Sequence, residues 1–581
     1  MNVVLTTLNA KYIHSSLALR YLKAYCKSIC SIEIAEFTIN NHVLDIVGQI
    51  YEKRPTIIGF ACYIWNIEMT MKIINMLRKV LPETKIICGG PEISYDGIRF
   101  LQENPAVDYL VQGEGEIAFY QLLAALQERK DTADIMGVVG QGEFSASKGA
   151  VVVKNLDSIP FPYTNQDIAE LKDKIIYYES SRGCPFSCQY CLSSATKGVR
   201  FFHLDRVLEE LGFFIRHDVR QVKFVDRTFN AKKSHYLPIL KFLLEQDCRT
   251  NFHFEIAADI IDDEVLAILE KMPKGRVQLE IGIQSTNEET LASIQRKNQW
   301  DKIVYNVTRI LSFKNIHLHL DLIIGLPKED YHSFAKSFNE VYALKPHMLQ
   351  IGFLKMLKGS GITKNHQEDR YVYMDTAPYQ VLANQYISYA EIRQLQIFEE
   401  VFEMYYNAGR FRHTTDYLIG LENEDAFLFY EKLTNYWRLQ DLHLVAHTTK
   451  SLYRYLYDFC LIHYHKNMNM IKEIMKFDAL VSDKGNIRPD FLAWNEDLYD
   501  ERNAEFWRGN AAEKYIESYK FTTWRDIKKK YHIESFSIDI VAFIQRGKLV
   551  ESNTIILFSF YNEEILYQKL AAKDFFQGDK K

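Results

Sequence analysis

Three cysteines that lie close together constrain this chain more than any other feature. Cys184, Cys188 and Cys191 stand in the run Ser-Ser-Arg-Gly-Cys-Pro-Phe-Ser-Cys-Gln-Tyr-Cys. Three thiolates on one short loop can hold three irons of a cubane iron–sulfur cluster, whereas all-cysteine ligation of such a cluster needs four. The spacing therefore predicts a 4Fe-4S cluster with one iron left open for a substrate or cofactor.

Zinc and disulfides are the alternative uses of clustered cysteines. A structural zinc site usually takes two pairs of ligands, and the other close pair, Cys26 and Cys30, lies far upstream in a helical pattern. The nine cysteines are an odd number, and the N-terminus has no basic and apolar signal pattern, so we expect a reducing, cytoplasmic location without disulfides. A zinc site or a coincidence of spacing stays open. The remaining cysteines are interpreted as small core side chains: Cys26, Cys30, Cys62, Cys88, Cys248 and Cys460.

The cysteine loop, with its spacing Cys-x3-Cys-x2-Cys, resembles that of the radical S-adenosylmethionine (SAM) superfamily. In that superfamily the open iron binds the amino and carboxylate groups of SAM, and an electron from the cluster cleaves SAM to a 5'-deoxyadenosyl radical. The resemblance implies that the three cysteines ligate the cluster and that Tyr190, just before the third cysteine, lies beside the adenine of SAM. It also implies an electron donor such as a flavodoxin or ferredoxin.

Composition limits the classes of protein to which the chain can belong. Its 581 residues correspond to about three or four domains at roughly 150 residues each. A hydrophobic content of 47% and a charged content of 25% are typical of globular proteins. No stretch approaches the roughly 18 uninterrupted apolar residues of a membrane helix, so we predict no membrane span. The 70 basic and 75 acidic side chains give a net charge of -5, which offers no support for nucleic-acid binding.

The first part of the chain, predicted as one domain over 1–135, alternates short apolar runs with amphipathic segments. This is the pattern of parallel βαβ units whose sheet is covered on both faces. Helices are predicted between the strands, for example over Ser15–Cys26 and Met69–Val80. We predict an α/β fold with a doubly wound, five-stranded parallel sheet, whose ligands bind beyond the carboxyl ends of its strands. The predicted strands are Val3–Thr7, Ile32–Phe37, Thr56–Phe60, Lys85–Cys88 and Asp108–Val111.

Two turns at those carboxyl ends are rich in glycine. They read Gly89-Gly90-Pro91-Glu92-Ile93-Ser94 and Gln112-Gly113-Glu114-Gly115-Glu116, and glycine lets the backbone approach a bulky ligand or adopt a positive φ. Tight βα turns without a ligand are the alternative. The two turns resemble those of the cobalamin-binding domain that precedes the radical domain in one branch of the same superfamily. The resemblance implies that the nucleotide tail of cobalamin is bordered by Gly89, Gly90, Glu92, Ser94, Gly113, Glu114 and Gly115.

This domain also departs from the cobalamin-binding pattern. The Asp-x-His-x-x-Gly motif, whose histidine coordinates cobalt in many cobalamin proteins, is absent. His14, in the loop after the first strand, is a candidate for a cobalt or nucleotide contact, and an ordinary hydrogen bond is the alternative. Ala61 stands where many relatives have a serine, so that polar contact to the nucleotide tail is missing. Tyr63, Trp65 and Asn66 follow, and they either line the pocket or include a buried aromatic pair.

The βα alternation restarts at residue 174, after a turn-rich linker predicted over 136–173. Six βα units over 174–360 predict a partial barrel, open or closed, and six strands is the usual number in the superfamily's partial (β/α)6 barrel. The cysteine loop follows the first strand, at the carboxyl end where barrels carry their chemistry. The predicted strands are Ile175–Glu179, Gln221–Val225, Asn251–Ala257, Arg276–Ile283, His317–Ile324 and Met348–Leu354.

Polar residues on the other barrel strands are candidate contacts of SAM or the substrate. The resemblance implies that Asp226, after the second strand, binds the amino group of SAM; an ion pair with Arg227 is the alternative. Glu255 on the third strand is polar at a position that faces one side of the sheet. Glu280 and Gln284 on the fourth strand lie, in relatives, near the ribose or the substrate, and structural hydrogen bonds inside the barrel are the alternative.

The fifth strand, which reads Asp321-Leu322-Ile323-Ile324-Gly325, resembles the segment Gly-x-Ile-x-Gly that lies beside adenine in the superfamily. Ile323 and Gly325 are therefore implied adenine contacts, while Asp321 stands where the first glycine would be. Arg296 and Lys297 follow the fourth strand and either meet a carboxylate or face solvent. Exposed Arg and Lys are common, so neither is included in the predicted site.

Beyond residue 360 the resemblance weakens. We predict a mostly helical C-terminal domain over 361–581, with helices over Tyr379–Tyr406 and across Tyr430–Met470. Phe536–Phe543 and Thr554–Tyr561 are predicted as strands of a small terminal sheet. The many tyrosines are interpreted as core side chains, with a substrate-lining role as the alternative. The segment is similar to an uncharacterised C-terminal extension of some cobalamin-dependent radical proteins, which implies no activity.

These inferences predict a radical enzyme. Cobalamin beside a radical generator suits methyl transfer to an unactivated carbon or phosphorus, in which the deoxyadenosyl radical removes hydrogen and methylcobalamin delivers a methyl radical. We therefore expect a cobalamin-dependent radical SAM methyltransferase whose substrate the sequence does not name. Ring formation or oxidation without methyl transfer is a second hypothesis, because related proteins of this architecture do both. A non-enzymatic cobalamin sensor or carrier is a third, although it would not need the three cysteines.

Overall fold

The chain forms two compact units, Met1–Ile392 and Arg393–Lys581. No helix within the described ranges is long and apolar enough to cross a membrane. The structure is a computed structural model that describes residues 1–142, 149–195, 198–495, 501–547, 550–560 and 565–575.

The first unit begins with a six-stranded sheet. Its strands are β1 (Val3–Asn9), β2 (Ile32–Thr38), β3 (Ile57–Ala61), β4 (Lys85–Gly89), β5 (Tyr109–Val111) and β6 (Val138–Gly140), in the spatial order β2-β1-β3-β4-β5-β6. The first five strands are parallel and correspond to the five predicted ones. The prediction of five strands is one too few, because β6 pairs antiparallel with β5 from within the predicted linker. A three-residue apolar run before a glycine-rich turn is too short to distinguish a strand from a loop.

Helices cover both faces of this sheet. All seven residues of β1 are buried, as expected for a parallel strand with helices on both sides. The first helix begins after Ser16, whose side chain accepts a hydrogen bond from the amide of Leu19 and so caps the helix. Because the strand order reverses between β1 and β3, the loops that follow these two strands diverge and leave a crevice. The helices are Leu17–Tyr25, Val43–Glu52, Ile67–Val80, Gly97–Glu103 and Gly115–Glu128.

An open parallel sheet and a short hairpin follow. Their strands are β7 (Ile176–Tyr178), β8 (Ser181–Cys184), β9 (Gly198–Phe201), β10 (Gln221–Phe224), β11 (Asn251–Ile256), β12 (Val277–Gln284), β13 (His317–Ile324) and β14 (Met348–Phe353). The sheet runs in chain order from β7 through β10 to β14, with β7 and β14 at its two edges. This confirms the predicted partial barrel of six βα units in its open form. The helices of this region are Asn165–Glu170, Leu204–Arg216, Lys233–Glu245, Asp263–Lys271, Glu288–Ser293, Trp300–Phe313 and Tyr331–Tyr342.

The hairpin of β8 and β9 is an addition to the predicted barrel. The two strands are antiparallel, with Ser181 opposite Phe201 and Cys184 opposite Gly198. The first cysteine therefore ends a paired strand, and the rest of the cysteine loop lies between β8 and β9.

The segment after the barrel corrects one predicted helix. It contains a second short hairpin, β15 (Val372–Tyr373) with β16 (Val381–Ala383), and its helix is Tyr389–Phe402. The helix predicted from Tyr379 is therefore wrong over its first ten residues. Ser388 and Glu391 exchange backbone and side-chain hydrogen bonds, which form a capping box and fix where the helix begins.

The second unit is mostly helical and carries a small antiparallel sheet, as predicted. The sheet consists of β17 (Tyr531–Phe536), β18 (Thr554–Ser559) and β19 (Leu566–Leu570). The predicted strand over Phe536–Phe543 is wrong, because the side chain of Asp539 caps the helix Ile540–Arg546; Tyr561 of the other predicted strand lies outside the described residues. The helices of this unit are Arg412–Leu421, Ala426–Leu439, Thr449–His463, Met468–Ser482, Glu501–Arg508, Trp524–Lys530, Ile540–Arg546 and Ala572–Phe575.

Candidate cofactor cavity and cysteine loop

A cavity of about 980 Å³ opens at the carboxyl edge of the first sheet, where β1 and β3 diverge. Residues at the ends of β1, β3, β4 and β5 line it, and so do residues of the barrel region. Small-molecule sites reach volumes of about 1,000 Å³, so a cavity of this size fits a large organic cofactor. The barrel residues that line it are Tyr177, Glu179, Arg182, Val225 and Arg227.

Most of the predicted cobalamin contacts line this cavity. The exception is Glu92, whose buried carboxylate accepts a hydrogen bond from the hydroxyl of Tyr379 and lies 3.0 Å from Nζ of Lys358. Glu92 thus ties its turn to the segment after the barrel. The predicted residues that line the cavity are Gly89, Gly90, Ser94, Gly113, Glu114 and Gly115, and their contact with cobalamin stays a prediction.

Two of these glycines are required by the fold itself. Gly90 has a φ of 116°, and a Cβ there would lie 2.4 Å from the carbonyl oxygen of Cys62. Gly113 has a φ of 79°, and its Cβ would lie 2.7 Å from the carbonyl oxygen of Val151. Any side chain would strain these turns, so the close backbone packing that shapes the cavity wall explains both glycines.

The loops after β1 and β3 bring a histidine and two aromatic rings to the cavity. His14 lines it, with Nδ1 2.7 Å from the hydroxyl of Tyr177, and burial followed by nearby lysines lowers the pKa of His14. Tyr63 and Trp65 line it as a stacked pair with ring centroids 4.4 Å apart. Asn66 is buried and donates hydrogen bonds to backbone carbonyls at the ends of β1 and β3, which is a structural role.

Charged residues connect the second glycine-rich turn to the β8–β9 hairpin. Arg182 lies 2.6 Å from Glu116, 2.7 Å from Glu179 and 3.4 Å from Glu114, and Arg200 pairs with Glu114 as well. Burial alone would raise the pKa of Glu114, but its hydrogen bonds with Arg200 and a backbone amide outweigh burial and lower the pKa. Neither arginine is among the site residues predicted from the sequence, although Arg182 stands only two residues before the first cysteine.

Each of the three cysteine sulfur atoms lies close to a neighbouring polar group. The Sγ atom of Cys184 is 3.6 Å from the hydroxyl of Thr228, and Sγ of Cys188 accepts a hydrogen bond from Arg296 at 3.8 Å. Sγ of Cys191 accepts one from the backbone amide two residues further on, at 3.4 Å. Cys188 is buried and the other two are partly exposed.

The donor set fits an iron–sulfur cluster chemically. The three residues are free thiols, and thiolates are the ligands that such clusters take from proteins. Within the described residues, no three His, Cys, Asp or Glu side chains converge on a point that could hold one metal ion. A cubane cluster does not require such convergence, because each thiolate binds a different iron.

Arg296 connects the cysteine loop with the fourth barrel strand. It donates hydrogen bonds to Cys188, to the hydroxyl of Tyr190 at 3.2 Å and to the carbonyl oxygen of Gly282. Burial raises the pKa of Cys188, while Arg296 acts in the opposite direction. Arg296 is not among the site residues predicted from the sequence, because arginines are usually exposed and only the fold brings this one to the loop.

Asp226 is fully buried beneath the start of the cysteine loop. Its carboxylate accepts hydrogen bonds from the backbone amide and hydroxyl of Ser180, at 2.8 and 2.7 Å, and from the hydroxyl of Ser181 at 2.5 Å. Burial raises its pKa to about 6, although these donors oppose the shift. The predicted alternative partner, Arg227, lines the cavity. Asp226 thus fixes the two residues that lead into β8, and its contact with SAM stays a prediction.

The remaining predicted SAM contacts lie on β12 and at the end of β13. Glu280 lies 3.1 Å from Nζ of Lys223, and Gln284, with a φ of 72°, has a buried Oε1 without a hydrogen-bond partner. Ile323 is partly exposed on β13. The carbonyl oxygen of Gly325 accepts hydrogen bonds from the side chains of two residues after the barrel. These residues lie on β12, on β13 or directly after β13, and their contacts with SAM stay predictions.

Comparison with known proteins divides the chain into three matched regions. Residues 3–123 match the model of the B12 binding domain, and residues 178–341 match that of the radical SAM superfamily. Residues 367–558 match a family of proteins of unknown function, DUF4080.

Two of the relatives that this chain resembles are methyltransferases. The cobalamin-dependent radical SAM methyltransferase TokK of Streptomyces tokunonensis is 29% identical over 51% of this chain and 46% of its own. The 2-(S-pantetheinyl)-carbapenam-3-carboxylate methyltransferase of Streptantibioticus cattleyicolor is 28% identical over 50% of this chain and 46% of its own. The chain thus spans about half the length of these relatives.

The solved structure of the cobalamin-dependent SAM radical enzyme OxsB, with aqua-cobalamin and SAM bound, has the same fold. It covers 84% of this chain and 82% of its own, with a TM-score of 0.59 and 13% identity. The chain thus carries a region similar to the B12 binding domain ahead of a region similar to the radical SAM superfamily, and a region similar to DUF4080 follows them.

Proposed function

We propose that this protein is a cobalamin-dependent radical SAM methyltransferase that acts on an unactivated centre of its substrate. The observation that carries the proposal is the single cavity of about 980 Å³ that residues of the B12-binding domain and of the first two barrel strands line together. Arg182 lines this cavity and stands two residues before Cys184. One pocket next to the cysteine loop suits a reaction that needs both cofactors beside one substrate.

The residues divide into three binding roles. Cys184, Cys188 and Cys191 would hold the 4Fe-4S cluster, and the two glycine-rich turns would border cobalamin. When bound, the cofactors supply a carbon-centred radical and a transferable methyl group. Residues around the barrel mouth would contact SAM, namely Tyr190, Asp226, Glu280, Gln284, Ile323 and Gly325.

The chain's own side chains position these groups. Asp226 fixes Ser180 and Ser181 through three hydrogen bonds, and so fixes the strand that leads to the first cysteine. Arg296 holds Cys188 and Tyr190 together. Preorganised side chains of this kind keep reacting groups aligned.

The proposal extends to the parts of the chain and their partners. The regions 1–135 and 174–360 would bind the cofactors on either side of the linker 136–173, and the region 361–581 would contribute to substrate recognition. A small one-electron donor such as a flavodoxin or ferredoxin would reduce the cluster. Methyltransferase relatives that match half of this chain support the reaction type.

The test is anaerobic turnover with isotopically labelled SAM. The full chain is reconstituted with iron, sulfide and hydroxocobalamin, reduced, and mixed with SAM that carries a CD3 methyl group and with candidate substrates. We expect 5'-deoxyadenosine, S-adenosylhomocysteine and a product with three deuterium atoms. Cys184→Ala is expected to abolish 5'-deoxyadenosine, while Cys248→Ala, outside the loop, is the matched control and keeps it.

Two results would contradict the proposal at different levels. Absence of 5'-deoxyadenosine from a wild-type chain that carries its cluster would exclude radical SAM chemistry. Formation of 5'-deoxyadenosine and of an unmethylated, cyclised or oxidised product would instead assign the chain to a cyclase or oxidoreductase.

A further inference from the structure

The inner face of the barrel sheet carries charged and polar side chains, among them the predicted cofactor contacts Glu280 and Gln284. Buried and partly exposed residues alternate along β12 and β13, as expected when one face of each strand packs under helices and the other faces the barrel interior. On β13 the fully buried set is apolar and includes Leu320 and Leu322. Asp321 lies between them on the opposite, inner face.

One carboxylate in this interior is already paired. Oε2 of Glu280 lies 3.1 Å from Nζ of Lys223 and 2.9 Å from Nε2 of His253. Burial would raise the pKa of Glu280, but these neighbours outweigh burial and lower it to about 2. Lys223 is therefore already paired with Glu280.

Two further carboxylates have no such partner. Glu255 lies beside Glu280 in the register of β11 and β12, and Asp321 lies beside Gly282 in the register of β12 and β13. Among the described side chains, neither Glu255 nor Asp321 has a hydrogen-bond or ion-pair partner. Nearby lysine and arginine side chains act to lower the pKa of both carboxylates, but within the described residues none of them forms an ion pair with either one.

Two hydrogen-bond acceptors are buried and unsatisfied at the same place. Oδ1 of Asp321 and Oε1 of Gln284 are both inaccessible and without a donor. A Cβ on Gly282 would lie 2.2 Å from Nε2 of Gln284, so the amide of Gln284 covers the residue that is paired with Asp321. Buried polar atoms in native proteins are normally satisfied, and two orphaned acceptors side by side call for a ligand that brings donors.

The raised pKa values of Asp321 and Glu255 also indicate that these carboxylates lack a counter-charge in direct contact. Burial, followed by repulsion from neighbouring carboxylates, raises the pKa of Asp321 well above its ordinary value. Burial and the charge of Glu280 also raise the pKa of Glu255. A bound cation would lower the pKa of both groups, because an opposite charge favours the ionised form.

We propose that a cationic nitrogen of the substrate, an ammonium or guanidinium group, binds in the barrel interior at Asp321 and Glu255. The inference rests on the proposed function and names the substrate class of that enzyme. A cation donates charge-assisted hydrogen bonds to the orphaned acceptors and also supplies the two carboxylates with a counter-charge in direct contact. A neutral hydroxyl would satisfy the acceptors alone and leave the two carboxylates unneutralised.

The experiment compares a cation with a neutral molecule of the same length. Binding of n-butylammonium and of n-butanol to the reconstituted full chain, loaded with hydroxocobalamin and SAM but not reduced, is measured by saturation-transfer NMR. We expect n-butylammonium to bind about tenfold more tightly than n-butanol, the scale of one charge-assisted interaction. Asp321→Asn and Glu255→Gln are expected to remove most of that preference. Glu264→Gln, an exposed carboxylate on a helix outside the barrel, is the matched control and should keep it.

The outcomes separate this inference from the proposed function. Equal binding of n-butylammonium and n-butanol by the wild type would overturn it. So would an Asp321→Asn variant that loses SAM affinity but keeps the cation preference, because Asp321 would then belong to the SAM site. Each variant is checked by thermal melting, and a poorly folded one is replaced by Asp321→Ser or Glu255→Ser, which also removes the carboxylate and should also weaken cation binding. Since binding is measured without turnover, an inactive enzyme would refute the proposed function and leave this result interpretable.

Discussion

Arg296 is the residue whose role differs most from its appearance in the sequence. It follows the fourth barrel strand beside Lys297, and both resemble ordinary surface cations. The fold turns only Arg296 inward, where it donates to Cys188, Tyr190 and the carbonyl oxygen of Gly282. A guanidinium beside a thiolate stabilises negative charge on sulfur, and hydrogen bonds and charge near cluster sulfurs set the potential of iron–sulfur clusters. We therefore infer that Arg296 makes the bound cluster easier to reduce.

Arg296→Met is expected to lower the reduction potential of the cluster. The substitution keeps the length and apolar stem of the side chain but removes the positive charge and the donor to Cys188, so the reduced, more negative cluster loses stabilisation. The measurement is a potentiometric titration followed by EPR, on protein with matched iron content. Lys297→Met, a neighbouring exposed cation, is the control and should leave the potential unchanged. Equal potentials for wild type and Arg296→Met would contradict the inference.

At the scale of elements, the charged cluster around Arg182 connects the B12-binding domain with the hairpin that carries the first cysteine. Glu114 and Glu116 belong to the turn and helix after β5, Arg182 to β8 and Arg200 to β9. Glu114 also accepts a hydrogen bond at 2.6 Å from the backbone amide of Val153, in the linker. The carboxylate of Glu114 thus connects β8, β9 and the linker. The Gly-Glu-Gly-Glu turn therefore has a structural role in addition to its predicted contact with cobalamin.

Glu114→Gln is expected to destabilise the first unit by roughly 3 kcal/mol, because it leaves Arg182 and Arg200 without one shared counter-charge in a largely buried site. We also expect lower iron retention after reconstitution, since β8 and β9 flank the cysteine loop. Chemical denaturation and iron analysis measure the two effects. Glu103→Gln removes a carboxylate from the exposed pair with Arg99 and should cost less than about 0.5 kcal/mol. Unchanged stability and iron content in Glu114→Gln would mean that the cluster does not hold the hairpin.

The same elements show what sequence patterns can and cannot specify. The strand predicted over Val3–Thr7 begins with the apolar run Val3-Val4-Leu5, which suits a sheet covered on both faces, and the alternation in β12 and β13 is equally local. The pair β8 and β9 is not predictable, since its strands are polar and are held by Glu114 far upstream. The capping residues Ser388 and Asp539 did carry a local signal, and applying it would have corrected the helix predicted from Tyr379 and the strand predicted through Phe543.

For the candidate site, the limit of prediction lies in long-range contacts. The cysteine spacing and the glycine-rich turns are short motifs, so their positions at strand ends follow from the order of βα units. Glu92 lies in such a motif yet contacts Lys358 and Tyr379, which no local pattern indicates. Likewise, the unsatisfied state of Asp321 depends on which residues three other strands place around it.

At the scale of the whole molecule, everything described in the cavity and the cysteine loop belongs to the unit Met1–Ile392. The region matched to DUF4080, 367–558, begins inside that unit and continues through the second. Its first part contributes Tyr371 and Asn384, whose side chains bind the carbonyl oxygen of Gly325, and Tyr379, which binds Glu92. The DUF4080 region therefore begins by supporting the cofactor site and extends into a separate compact unit.

A fragment that ends at Ser388, before the helix that enters the second unit, is expected to keep both cofactors. It contains every described residue that lines the cavity, all three loop cysteines and the supporting residues up to Asn384. Because a ligand stabilises the state that binds it, hydroxocobalamin at about 100 times its Kd should stabilise fragment and full chain alike, by about 2.7 kcal/mol. Thermal melting with and without hydroxocobalamin, together with iron analysis, measures both effects. A fragment ending at Glu340, which lacks β14, is the control and should bind hydroxocobalamin poorly.

If the fragment ending at Ser388 folds but neither binds hydroxocobalamin nor retains iron, while the full chain does both, the second unit must take part in forming the cofactor site.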